Sequence, residues 1–211
     1  MKITFLNQPK LSPHAVDQKF NEKRIDLIPE IENYVAGNPL FKDEMVYVTF
    51  FHEGVSSLVS LLETSKGKYV LKVGLRDKDY SREALFLKAW ESIGISVPHI
   101  LEDGLIHEHS YILMQYVDAK PLTFFPREEL INKKIFYQMG KILSHMHTIT
   151  GSGFGRPNDK GIGEFDRFET WLYEDQYNKN QFKYVQENNL LPEENYGSVK
   201  KACEILINHS A

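Results

Sequence analysis

The chain has 211 residues, 42% of them hydrophobic and 26% charged, with a net charge of −4. That composition suits a globular protein with a sizeable core, and it excludes the overall basic bias of a nucleic-acid binder. The single cysteine, Cys203, excludes an internal disulfide and, with no CxxC present, a cysteine-based zinc site. Cys203 falls on an apolar helical stripe and is expected to pack in a core. No stretch approaches the roughly 18 apolar residues of a membrane span, and "MKITFLNQPKLSP" lacks the apolar centre of a signal peptide. A cytoplasmic location, with neither membrane nor nucleic acid as partner, is the expectation.

Taken in chain order, "SPHAVDQKF" predicts a short helix with Ser12 as N-cap and Pro13 at the first helical position. "PEIENYVAG" predicts a second, closed by Gly37. The period then changes to two. Met45–Phe51, "LVSLLET" and "YVLKVGL" predict three antiparallel strands, joined by "HEGVSS" and "SKGK". A helix follows from Asp79 to Ile93, with Leu85, Phe86, Ala89, Trp90 and Ile93 on one broad face and Gly94 ending it. After "SVPHI", the strands "LEDGLI" and "SYILMQYV" are joined through "HEHS", giving the order β-β-β-α-β-β.

The rest is helical. Apolar residues at Ile131, Ile135, Met139, Ile142, Met146 and Ile149 predict one helix over 128–149, started by Pro126, Glu128 and Glu129. "GSGFGRPNDKGIG" reads as a loop, a flexible joint without the GK[ST] of a P-loop. "FETWLYEDQYNKNQFKYVQENN" and "GSVKKACEILINH" predict two more helices, the first packed through Phe165, Phe168, Trp171 and Tyr173. The division expected is a helical extension over 1–44, a β-rich lobe over 45–118 and an incomplete helical lobe over 119–211.

Lys72 is the anomaly in this pattern, a fixed charge inside an apolar strand. Burying an unpaired ammonium costs several kcal/mol at least, so it faces water or has a partner. Alone it would be an edge device against aggregation. Three neighbours favour the other reading. Val70 shares its face, Glu83 lies in the first turn of the next helix, and Gly54, Ser56 and Ser57 form a small-residue turn upstream. Such a set could hold a nucleotide, with the lysine on the phosphates, the glutamate orienting it, turn N–H groups on phosphate oxygens and Val70 against the adenine. Asp77 and Asp79 are competing partners for Lys72. The "HEH" of His107–His109 is expected at a solvated hairpin tip, and His145 and His147 lack metalloprotease spacing.

The ordered set "EGVSSLVSLLETSKGKYVLKVG", "SREALFLKAWESIGISVPHILEDG", "SYILMQYVDAKPL" and "MGKILSHMHTITGSGFG" resembles the aminoglycoside phosphotransferase and choline kinase-like family, relatives of the protein kinases. The likeness runs over about residues 45 to 175. It implies an α+β, protein kinase-like fold: a five-stranded antiparallel N-lobe with one helix, then the first helices of a truncated helical C-lobe. It implies Lys72 as the phosphate-binding lysine, Glu83 as its helix partner, and Ser56 and Ser57 in the phosphate-covering loop. Gln115, Tyr116 and Val117 would be the hinge that bonds the adenine edge. ATP or GTP would be the nucleotide, and a hydroxyl on a small molecule the acceptor.

The family's H-x-D catalytic loop and its later metal-binding Asp have no counterpart, since none of the eight histidines is followed two positions on by Asp. No catalytic or metal-binding residue is therefore assigned, and Mg2+ is expected only with a missing C-terminal part. The chain is expected to bind nucleotide without transferring phosphate, and to leave apolar C-lobe surface open to self-association. Two alternatives stay open: a non-catalytic binding or regulatory module completed by a partner chain, and an unrelated α+β domain with Lys72 exposed.

Overall fold

Alternation of apolar and polar side chains builds a six-stranded sheet in the computed structural model, which describes residues 2–10, 21–52, 56–75, 80–158, 160–174, 184–185, 187–190 and 192–208. The expected helix at 12–20, Gly54, Asp77 and Asp79 lie outside the described residues, as do the side chains of Tyr173 and Cys203. The strands are β1 (Lys2–Phe5), β2 (Met45–Phe50), β3 (Ser57–Thr64), β4 (Gly67–Gly74), β5 (Ile100–Ile106) and β6 (His109–Gln115), in the spatial order β1-β2-β3-β4-β6-β5. Five of them are antiparallel neighbours, as expected. The sixth, β1, is an addition: it pairs parallel to β2, and Phe5 stacks on Phe50 at 5.7 Å. A parallel pair needs a long crossover, here supplied by α1 (Asn21–Asp26) and α2 (Ile28–Gly37). Residues 1–44 thus give the sheet a strand as well as helices.

Both faces of the sheet are covered. On one, Leu27, Ile31 and Val35 pack with Phe41 against Leu58, Leu62, Leu71, Val73 and Leu113. Each such buried side chain contributes about 1.5–3 kcal/mol. On the other, α3 (Ser81–Ser92) and its N-cap Tyr80 pack Tyr80, Ala84 and Leu87 against Val70, Ile112 and Met114. That contact face differs from the expected one: spacing of four and three from Tyr80 selects it, while Phe86 is exposed and stacks on Trp90.

A β-bulge at Leu101 decides which way β5 points its side chains. Ile100 joins the α3-side core, and without the extra residue Glu102 would face the same way. Instead Glu102 lies opposite Leu113 and faces α2, where it accepts hydrogen bonds from Tyr34, Asn38 and Tyr111. Asp103 then faces α3 and pairs with Lys88.

The chain forms two compact units, Met1–Ile149 and Thr150–Ala211. The first ends with α4 (Arg127–Asn132) and α5 (Ile135–Met146). These correct the single helix expected over 128–149: Lys134 adopts a left-handed φ of 51° and breaks it, although the apolar period runs straight across the break. In the second unit, the segment expected as a loop carries an antiparallel pair, β7 (Phe154–Pro157) and β8 (Gly163–Phe165). Glycine permits it, since a Cβ on Gly163 would sit 2.5 Å from the Phe154 carbonyl oxygen. α6 (Phe168–Glu174) packs Phe168 against Phe154 and Trp171, and α7 (Glu193–Asn208) starts four residues earlier than expected.

Candidate nucleotide site

The antiparallel register sets Lys72 between Val59 and Ile112, so its side chain leaves the sheet on the α3 side. Glu83 sits in the first turn of α3, where a carboxylate also suits the helix dipole. The two meet: Lys72 Nζ donates to both Glu83 oxygens, at 2.6 and 2.9 Å. The lysine side chain is 22% exposed and the glutamate 36%, so the pair is accessible from solvent rather than sealed in the core. The ammonium also lies 4.9 Å from the centroid of the Tyr80 ring, a cation–π arrangement.

Tyr80 is fully buried and carries more of this site than the sequence suggests. Its backbone N–H donates to Ser110 Oγ at 2.9 Å, and its hydroxyl bonds the hydroxyl of Ser57. Burial pushes the Tyr80 phenol up to about 12, against the opposing hydrogen bond from Ser57. Ser57 is itself buried, so its hydroxyl serves the fold. Ser56 is half-buried, and its carbonyl accepts from the Leu75 N–H at 3.1 Å, which closes the β3–β4 ladder below the turn. Ser56 and Ser57 therefore stand at the foot of the β2–β3 turn, beside the end of the strand that carries Lys72.

Val70 shares the Lys72 face and packs with Ile112 and Met114, an apolar patch two residues along the strand. Beyond it β6 runs out into Gln115, Tyr116 and Val117. The N–H groups of Gln115 and Tyr116 donate to the carbonyls of His99 and Lys68, at 2.9 and 3.1 Å. The Val117 carbonyl accepts from Ala119 N–H at 2.9 Å, and Val117 itself is exposed. Along β4 and β6 there follow the exposed Val117 after β6, the apolar patch around Val70, the paired Lys72 and, at the start of β3, Ser57. Lys72, Val70 and Ser57 share the α3 side and Glu83 meets them from α3, whereas Gln115, paired with Tyr69, turns its side chain to the α2 side.

A different cleft, of about 540 Å³, lies on the α2 side and is lined in part by Lys23, Asp26, Glu30, His107 and His109. None of the eight candidates lines it. His107 sits at the hairpin tip with a left-handed φ of 52° and reaches Glu30 at 2.7 Å. His109 belongs to β6 rather than to the tip, and its ring bonds the Gly74 carbonyl at 2.8 Å. Among the described residues no group of three or more His, Cys, Asp or Glu side chains could hold a metal ion.

Residues 48–197 match the phosphotransferase enzyme family. No curated protein matches the chain. Among solved structures, the chain is similar to aminoglycoside phosphotransferase APH(4)-Ia. A thermostable mutant of that protein in its apo form is 17% identical, with a TM-score of 0.53 over 74% of this chain and 53% of that one. Its ternary complex with ADP and hygromycin B is 16% identical, with a TM-score of 0.53 over 74% and 52%. A further variant in ternary complex with AMP-PNP and hygromycin B is 16% identical, with a TM-score of 0.56 over 83% and 57%. The chain spans about half the length of these solved structures. The fold is α+β and protein kinase-like.

Proposed function

Because this chain belongs to the phosphotransferase enzyme family, we propose that it is the nucleotide-binding portion of an ATP- or GTP-dependent kinase acting on a hydroxyl of a small molecule. The observation that carries this reading is the Lys72–Glu83 pair, half-open to solvent on the face that also holds Val70. A point charge held by a carboxylate is positioned for a polyphosphate, which it can meet without reorganising. Val70, with Ile112 and Met114, supplies the surface for the base. Gln115, Tyr116 and Val117 form the hinge. With the N–H groups of Gln115 and Tyr116 already bonded within the fold, the Val117 N–H is the donor assigned to the ring. Ser56 and Ser57 flank the phosphate-covering turn, where Ser57 contributes backbone rather than hydroxyl.

In this reading residues 45–118 are the nucleotide lobe, 1–44 an extension wrapped onto it, and 119–211 the first part of the acceptor-binding lobe. Phosphoryl transfer needs a base and metal-holding carboxylates besides the lysine. The sequence has no H-x-D, and the described residues offer no fitting metal cluster. No step through Mg2+ is proposed, and on the missing H-x-D we propose that the 211 residues alone bind nucleotide without transferring phosphate. Among the described residues no helix is long and apolar enough to cross a membrane, which is compatible with the cytoplasmic location proposed.

The test is calorimetric titration with ATP and GTP of the chain and of Lys72→Ala. Loss of one charge-assisted contact is expected to weaken ATP binding by about tenfold or more. Unchanged affinity in Lys72→Ala would remove the site. A second reading, a non-catalytic module completed by a partner chain, is favoured by the exposed apolar residues of α5. It requires association through 126–211, and a monomer at high concentration speaks against it.

A further inference from the structure

Arg24, on α1, is fully buried, a rare state for a guanidinium. Its hydrogen bonds explain how it is tolerated. Nε donates to the Pro9 carbonyl at 2.5 Å, one terminal nitrogen to the Ser57 carbonyl at 3.0 Å, and the other to the Phe51 carbonyl at 2.5 Å. Phe51 directly follows β2 and Ser57 opens β3, so a single rigid fork ties the two stems of the β2–β3 turn together. Lysine could not do this, having one nitrogen in place of a planar array of donors.

The N-terminal segment adds to the same collar. Asn7 holds the backbone of Phe50 from both sides, donating to its carbonyl at 2.8 Å and accepting from its N–H at 2.7 Å. The His52 ring approaches the Lys10 carbonyl at 2.6 Å. Apart from the Arg24 Nε bond to Pro9, these contacts fall on Phe50, Phe51, His52 and Ser57, and none of them is on the hinge or on Val70.

We propose that Arg24, with Asn7, is a positioning device for the strand ends Phe50–Phe51 and Ser57 beside the nucleotide site: it fixes their separation, and so sets affinity for the nucleotide's phosphates without touching them. This rests on the nucleotide reading above. It assigns the N-terminal segment a part in ligand recognition that neither its distance from Lys72 in sequence nor the β-β-β-α-β-β pattern suggests. It also makes the effect selective. The adenosine end is bound by Val70 and the hinge, which the collar does not reach, so the phosphate contribution should fall while the base contribution stays.

The experiment titrates the chain, Arg24→Lys and Asn7→Ala with ATP and with adenosine, by calorimetry or ligand-observed NMR, alongside thermal melts. Each variant is expected to lose about tenfold in ATP affinity, the scale of losing hydrogen bonds to a charged or buried group, with adenosine affinity within about twofold of the parent. Equal losses for ATP and adenosine would make the role merely structural and overturn the proposal, as would unchanged ATP binding. If Arg24→Lys does not fold, Asn7→Ala is judged by the same ratio, because that half-buried side chain leaves the core intact. A parent chain that binds ATP, with variants whose ratio is unmoved, sinks this inference alone. A parent that binds neither ligand sinks the nucleotide reading and this inference with it.

Discussion

Lys72 is held twice, by both Glu83 oxygens and over the Tyr80 ring, and Tyr80 in turn holds Ser57 at the foot of the turn. The lysine was legible because a charge inside an apolar strand demands an explanation, and the Glu83 carboxylate because it opens the following helix. Tyr80 and Ser57 are 23 residues apart and carry no pattern that pairs them. Arg24 was equally silent, since an arginine on a short helix ordinarily faces water. The Ser57–Tyr80 contact can be measured by a double-mutant cycle. Ser57→Ala leaves the buried Tyr80 hydroxyl without that partner and is expected to cost about 1–3 kcal/mol in urea unfolding. Tyr80→Phe in the Ser57→Ala background removes the hydroxyl that lost this bond and is expected to recover part of the cost. Additive losses would mean the two hydroxyls do not depend on each other.

At the scale of elements, α2 is locked to the sheet by the Glu102 carboxylate, which the Leu101 bulge turns towards Tyr34, Asn38 and Tyr111. Burial pushes the Glu102 carboxyl up, but the three hydrogen bonds outweigh it and hold it below the usual carboxylate range. A depressed carboxylate contributes stability that is present above its unfolded value of 4.5 and is lost as pH falls through the lower folded value. The tyrosines act at the other end. Burial, with Glu102 close by, raises Tyr111 to about 12 and Tyr34 further still. Above the unfolded phenol value of 10.0 the unfolded chain releases those protons first, so stability falls as pH rises from there. Urea unfolding across pH is therefore expected to show loss at both ends, and Glu102→Gln to flatten the acid limb while costing about 1–3 kcal/mol near neutrality. An unchanged acid limb would place the titrating carboxylate elsewhere.

The break between α4 and α5 belongs to the same scale. Lys134 stands at φ 51°, a conformation that costs a non-glycine residue about 1 kcal/mol. Lys134→Gly is expected to leave stability unchanged or raise it by up to about 1 kcal/mol, whereas a continuous helix through 134 would lose about that much. Thermal melts of the variant decide between them. Strands β2 to β6 were legible from alternation bounded by glycine and polar turns. β1 was not, because its four residues pair in parallel with a strand some forty positions on. The β7–β8 pair was hidden for another reason: its glycines looked like flexibility, yet they are what lets two backbones approach.

For the whole molecule, the apolar residues of α5 matter most. Phe136, Met139, Ile142 and Leu143 are all exposed, from 40% to 62%. At about 100° per residue they fall within roughly 120° of one another around the helix, a single stripe. A stripe of that kind is ordinarily covered in a folded domain, and this chain spans about half the length of the solved structures it resembles. In a solution of this polypeptide alone, the same stripe on a second copy can cover it. Sedimentation velocity over a concentration series is expected to show reversible association. Phe136→Ser combined with Leu143→Ser should abolish it and leave ATP titrations unchanged, because Lys72, Val70 and the hinge lie on the sheet and not on α5. A parent chain that sediments as a monomer throughout would mean the stripe is tolerated bare. If the double variant also lost ATP binding, the helical residues would be part of the nucleotide site, and the division between a nucleotide lobe and an acceptor lobe near residue 118 would have to move.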